Sequence, residues 1–219
     1  MRKTGFTLAE VLITLAIIGV IATMTLPALM TNTAEQQAKT GLKKGINTLT
    51  EAAQMNQAIA GFDYGSVTEA STSDAESQSL YGIMAKRTSM DFAKSKKITD
   101  TALGAAGTSN YAVFFRDGSA LMFPEDTKIE ADSAALQDDG LPYGLAAIYD
   151  TNGTKGPNIV SNCSGVALGI SGETKDNTDA DAAAACTTQK RVIKDQFGVR
   201  LRGGYAVPNG AAARWAYDN

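Results

Sequence analysis

The first sixty residues divide into an apolar half and an amphipathic half. Residues 11–30 contain no charged side chain, and twenty such residues are enough for a helix that crosses a bilayer. From Ala34 onward, apolar side chains recur at spacings of three and four, as on a helix with one buried face: Ala38, Leu42, Ile46, Leu49 and Ala53, with Ile59 as a further candidate. The pattern predicts one long helix over residues 6–60, which Gly41 and Gly45 should weaken by about 1 kcal/mol each.

Residues 61–219 carry loop and strand signals after that helix. A break is predicted at Gly61–Gly65, then a polar surface loop over 66–79 and a helix over about 77–94. Four short apolar runs predict strands, and the first two flank Asp117-Gly118 as a hairpin; the runs are 111–115, 120–123, 145–149 and 199–201. A helix laid across a small antiparallel sheet, an α+β fold, agrees with this order.

Composition narrows the function classes. The chain has no histidine, which excludes Ser-His and Cys-His nucleophilic machinery and histidine-ligated zinc. No catalytic constellation is present, so we expect neither an enzyme nor a resident cofactor. A net charge of −3 argues against a dedicated nucleic-acid binder. The one lysine cluster, Lys94, Lys96 and Lys97, is interpreted as a solvated face.

Glu10 stands at the edge of the apolar run, behind a leader that contains Arg2 and Lys3. An unpaired carboxylate at the centre of a membrane helix costs about 2.5–3.5 kcal/mol, and somewhat less near the interface. A secretory signal peptide would need a small-residue cleavage site, and residues 25–30 offer no Ala-x-Ala. A plain signal anchor explains the basic leader but leaves Glu10 unexplained.

The order Gly5, Phe6, Thr7, Leu8 and Glu10 resembles the type III signal of type IV prepilins and type II secretion pseudopilins. The resemblance implies cleavage between Gly5 and Phe6 and N-methylation of Phe6. Glycine suits the position before the scissile bond because it has no side chain to obstruct a peptidase. The resemblance also implies that Glu10 pairs with the Phe6 amine of a neighbouring subunit. The charge would then set the register in which subunits assemble.

Pro27 lies twenty-one residues after Phe6, where many members of this family carry a helix-kinking proline. An interior proline removes a backbone hydrogen bond and strains the preceding turn. The alternative is that Pro27 ends the membrane span. Because helical periodicity resumes beyond it, a kink or local melting is favoured.

The resemblance implies a pilin-like layout with four parts: a cleaved leader, a transmembrane or filament-core helix, its amphipathic continuation and a globular head, over residues 1–5, 6–30, 31–60 and 61–219. It implies a structural subunit, a pilin or minor pilin, of a type IV pilus-like filament. Prepilin peptidase and methyltransferase, an inner-membrane assembly platform and other pilins would be its partners. The precursor would span the bacterial inner membrane once with its head outside the cytoplasm, and then join an extracellular or periplasmic filament.

Two other functions stay open from the sequence. One is a minor pseudopilin of a type II secretion system, for which genomic neighbours would decide. The other is a membrane-tethered binding module whose helix is only an anchor. A tethered module would tolerate Glu10→Leu, whereas a filament subunit with that change would insert and fail to assemble.

Cys163 and Cys186 are the only cysteines. In an exported chain an isolated pair favours one disulfide, and closing this loop should stabilise the fold by roughly 3 kcal/mol. Two buried free thiols are the alternative. The bracketed region is similar to the cysteine-bounded surface region of type IV pilins, although 33 residues follow Cys186 here.

The loop that begins Asp150-Thr-Asn152-Gly153 allows two interpretations. Asn-Gly after a strand is a turn signal, which is the favoured one. Asp150 and Asn152 could also ligate calcium, whose sites favour alternating oxygen donors, although the spacing departs from an EF-hand loop. At the other end of the chain, the aromatic residues Trp215 and Tyr217 are expected to pack within one subunit.

Overall fold

The computed structural model describes Gly5 and residues 7–98, 110–129, 144–156, 158–163 and 191–219. The chain divides into two compact units, Met1–Gln37 and Ala38–Asn219. The α+β arrangement expected from the sequence is confirmed, with a long N-terminal helix and an antiparallel sheet.

The helix α1 spans Leu8–Ala60, which confirms the prediction of one long helix. It ends where Gly61 adopts a φ of +79°, a conformation that glycine reaches without steric cost. In its second half, five residues of the predicted stripe are buried: Ala38, Leu42, Ile46, Leu49 and Ala53. The inclusion of Ile59 is wrong, because its side chain is 66% exposed near the end of the helix. The spacing of apolar residues therefore identified the face that packs on the sheet.

The main sheet has six antiparallel strands within the described residues. The strands are β1 Lys96–Ile98, β2 Asn110–Phe114, β3 Ala120–Pro124, β4 Leu145–Asp150, β7 Gln196–Arg202 and β8 Tyr205–Pro208. They lie in the order β1-β2-β3-β4-β7-β8, so the hairpin and the two later strands are confirmed. The hairpin turns through Gly118 at φ +94°, and Asp117 Oδ1 accepts hydrogen bonds from Ser119 N and Oγ.

Smaller elements complete the fold. A second ladder pairs β5 Asn162–Cys163 with β6 Arg191–Val192. A short 3₁₀ helix covers Tyr64–Ser66, α2 covers Leu80–Arg87 and α3 covers Ala211–Asp218.

The prediction of a helix over 77–94 is wrong in its extent. Ser79 Oγ accepts from Gly82 N and caps the start of α2, and Thr88 Oγ1 donates to Met84 O at its end. These side-chain hydrogen bonds stop α2 after eight residues.

Two glycines on α1 allow the helix to approach β4. A Cβ on Gly45 would lie 2.3 Å from Tyr149 ring atoms, and one on Gly41 would lie 2.8 Å from Thr151 Cβ. From the sequence alone, both glycines only lower the helix propensity of α1. Their missing side chains are what lets α1 and the sheet share one core.

Candidate processing and assembly site

The residues predicted for processing lie at the start of α1. Gly5 is exposed and non-helical, whereas Phe6 falls outside the described residues. Glu10 is in the first turn of α1. The predicted cut between Gly5 and Phe6 therefore precedes the helix, which begins at Leu8.

Thr7 and Glu10 form a capping box at that helix start. The Thr7 carbonyl accepts from Val11 N at 3.3 Å, and Thr7 Oγ1 accepts from Glu10 N at 3.3 Å. In return, Glu10 Oε2 accepts from Thr7 N and from Thr7 Oγ1, each at 2.8 Å. This reciprocal pattern satisfies amides that a helix start otherwise leaves unpaired.

Thr7 is thus a site residue that the sequence analysis missed. Its signal was present, because Thr-x-x-Glu before an apolar run marks a helix start. The Glu10 carboxylate thus receives two hydrogen bonds within one chain, although neither donor supplies a positive charge.

Among the described residues, α1 is the one helix that is long and apolar enough to cross a membrane, judged by length and composition, and its apolar half supplies this property. Its large side chains are exposed, among them Leu12, Ile13, Leu15, Ile18 and Ile21. The hydroxyl groups of its threonines donate hydrogen bonds to backbone carbonyls of the same helix: Thr14 Oγ1 to Val11 O, Thr23 Oγ1 to Val20 O and Thr25 Oγ1 to Ile21 O. These internal hydrogen bonds leave the surface of the segment suited to lipid or to other apolar helices.

α1 continues through Pro27 to Ala60, so the proline does not end the helix, and the alternative that it ends the membrane span stays open. Proline has no amide hydrogen, and the carbonyl of Thr23 therefore loses its usual helical donor. The kink at Pro27 stays a prediction.

The Asp150 loop is organised by its own hydrogen bonds. Asp150 Oδ1 accepts from Asn152 N at 3.0 Å and Gly153 N at 2.8 Å, and Oδ2 accepts from Gln196 Nε2 at 2.9 Å. Burial raises the pKa of the Asp150 carboxyl. The arrangement is that of a structural turn, the favoured interpretation, and calcium binding by Asp150 and Asn152 stays a prediction.

Cys163 is buried in β5 and packs in one cluster with Ala212 and Trp215 of α3. Cys186 lies outside the described residues, so the disulfide stays a prediction. Trp215 is partly buried against the core, and Lys39 Nζ lies 4.0 Å from its ring centroid. The expectation that this aromatic segment packs within one chain is confirmed for Trp215.

The lysine cluster is exposed, as predicted. Lys94 Nζ lies 3.2 Å from Asp91 Oδ2, and Lys97 forms an ion pair with Glu125. Two of the three cations thus have acidic neighbours, which favours a solvated face over a nucleic-acid surface.

A capped helix thus begins just after the candidate cleavage point, and its first half is apolar and exposed. Residues 1–26 match the family model described as the prokaryotic N-terminal methylation motif, the prepilin-type signal of type IV pilins and pseudopilins. Neither a curated protein nor a solved structure gives a significant match. The resemblance inferred from the sequence is therefore confirmed for the signal.

Proposed function

We propose that this chain is the precursor of a structural subunit, a pilin or minor pilin, of a type IV pilus-like filament. The observation that carries the proposal is the methylation motif at residues 1–26, which includes the start of α1 and most of its exposed apolar half. Prepilin peptidase cuts between Gly5 and Phe6, and Phe6 becomes the methylated N-terminus. The chain waits in the inner membrane, where an assembly platform draws it into a filament with other pilins.

Assembly rests on packing of the apolar half of α1 and on the charge of Glu10. The Thr7 donors satisfy hydrogen-bonding capacity at Glu10 but do not neutralise it. The free α-amine of Phe6 in a neighbouring subunit supplies the missing positive charge. A charge pair in an apolar bundle is strongly favoured over two separated charges, so helices lock in the register that joins Glu10 to this amine.

Mass spectrometry of the mature N-terminus tests the processing step. The expected result is a chain that begins at Phe6 and carries one added methyl group. A purified chain that retains Met1, or is cut beyond Leu26, contradicts the proposal.

Glu10→Gln tests the assembly step. Glutamine keeps a side-chain oxygen that can accept from Thr7 but has no charge, so the variant should insert, be processed and fall about tenfold in sheared filaments. Glu51→Gln is the matched control, because Glu51 is exposed on the same helix and should assemble normally. Filaments of Glu10→Gln at the wild-type level would refute charge pairing.

We also propose the Cys163–Cys186 disulfide. The β5–β6 ladder places Arg191 opposite Cys163, and only four residues separate Arg191 from Cys186 in the sequence. The ladder thus brings the returning chain close to Cys163. Peptide mapping without reduction should find the two cysteine peptides joined, and alkylation of both thiols in the unreduced protein would contradict the pairing.

A further inference from the structure

The capping box separates two roles that Glu10 can have. Its side-chain oxygen accepts hydrogen bonds from Thr7, and for this role an uncharged oxygen acceptor suffices. Pairing with an amine needs the negative charge. Thr7 takes part only in the first role, so it reports on the cap independently of assembly.

We propose that Thr7 is a positioning residue for processing: by capping α1 with Glu10, it keeps the exposed Gly5 carbonyl outside the helix, where a peptidase can attack it. This inference rests on the proposed function, since it concerns the same cleavage. A capping residue has extended backbone dihedrals and directs the chain before it away from the helix axis. A peptide bond outside the helix has its carbonyl and amide free to meet an enzyme.

Losing the cap would change which residues are helical. The amides of Thr7 and Glu10 would then lose their side-chain acceptors, and Thr7 would no longer be held outside the helix. Where water is scarce, unsatisfied amides pair with the carbonyls four residues earlier. Glu10 N would then pair with the carbonyl of Phe6, and one residue further on Ala9 N would pair with the carbonyl of Gly5. The helix would extend over the scissile bond and engage the carbonyl that the peptidase must attack.

The size of the effect follows from the strength of an ordinary cap. Loss of a typical N-cap corresponds to about a fivefold change in population. If only chains with a free Gly5 carbonyl bind the peptidase, the apparent affinity falls in proportion to the competent fraction, by at most that factor. KM should therefore rise by up to about fivefold, while kcat at saturation stays unchanged.

The experiment measures cleavage of the full-length precursor by purified prepilin peptidase in detergent micelles, following loss of residues 1–5 by mass spectrometry. Thr7→Val removes the acceptor of Glu10 N and should raise KM by up to about fivefold, and Glu10→Ala removes the acceptor of Thr7 N and should raise KM by less. Thr7→Ser and Glu10→Gln keep its oxygens and should stay close to wild type. Thr14→Val is the control, because the Thr14 hydroxyl donates to Val11 O and takes no part in the cap.

The outcomes distinguish the inference from the function on which it rests. A wild-type precursor that is not cut between Gly5 and Phe6 refutes the proposed function. A wild-type precursor cut there while Thr7→Val is cut with the same KM refutes only the positioning role. If Glu10→Gln is as slow as Glu10→Ala, the peptidase reads the charge, and the capping explanation is also refuted.

Discussion

Gly45→Ala is the sharpest test of how α1 packs on the sheet. An exposed helical position would gain about 1 kcal/mol from this change, because alanine is the better helix former. At position 45 the new Cβ would lie 2.3 Å from Cε1 and Cζ of Tyr149. Carbon atoms are most stable at about 3.5 Å, so the ring must withdraw by about 1.2 Å.

Tyr149 has little room for that movement. Its side chain is 3% exposed, and its ring centroid lies 6.5 Å from that of Phe115. Overpacking of a dense core costs about 1–3 kcal/mol, and a displacement of this size belongs at the upper end. After the gain in helix propensity, we expect a net destabilisation of about 2 kcal/mol, or a midpoint about 4–8 °C lower.

Thermal unfolding of the full chain in detergent measures this effect through fluorescence of Trp215, the single tryptophan. Gly41→Ala should lower the midpoint less, because it meets Thr151 Cβ at 2.8 Å, and Gly19→Ala should not lower it, because nothing lies within 4 Å. In a Tyr149→Leu background the Gly45→Ala penalty should shrink by more than half. A midpoint that rises on Gly45→Ala would show that the close approach of α1 and β4 is not as described.

Two further predictions concern the same core. Burial raises the pKa of Tyr149 to about 12, so the unfolded chain loses this proton at a lower pH than the folded chain. The contribution of Tyr149 to stability is complete below pH 10 and falls by about 3 kcal/mol between pH 10 and 12. When urea midpoints are compared, this loss should be smaller in Tyr149→Phe. Thr50 Oγ1 accepts from Ala206 N at 3.1 Å and so covers the outer edge of β8, and Thr50→Val should lower the free energy of unfolding by about 1 kcal/mol. Thr33→Val is the control, because the exposed Thr33 hydroxyl donates to Leu29 O of its own helix and its loss should leave that free energy unchanged; equal effects would refute the edge contact.

Local signals made the helix and the hairpin predictable. The stripe on α1 depends on spacing along one element, and the Asp117-Gly118 turn needs only neighbouring residues. In contrast, β8 and α3 were missed because long-range contacts define them. β8 is an edge strand that ends at Pro208, and α3 follows Gly210 without a side-chain cap.

The difference between local signals and long-range contacts also explains what could be predicted at the glycines and at the N-terminus. The propensity cost of Gly45 was readable, but its benefit depends on Tyr149, which lies over one hundred residues away in the sequence. The Thr7–Glu10 cap is local and was predictable from its spacing. The charge of Glu10 instead indicated a partner in another chain.

The cap also lowers the free energy that Glu10 can contribute to assembly of the proposed filament. A bare carboxylate at membrane depth costs about 2.5–3.5 kcal/mol, and reciprocal capping of typical strength offsets about 1–2 kcal/mol of that. About 0.5–2.5 kcal/mol then remains for the Phe6 amine of a neighbour to recover. A remainder in the middle of this range disfavours a misaligned subunit by roughly tenfold, which is enough to choose a register, while the apolar surface of α1 supplies the larger part of cohesion. Glu10 is therefore better described as selecting the position of each subunit than as holding the filament together.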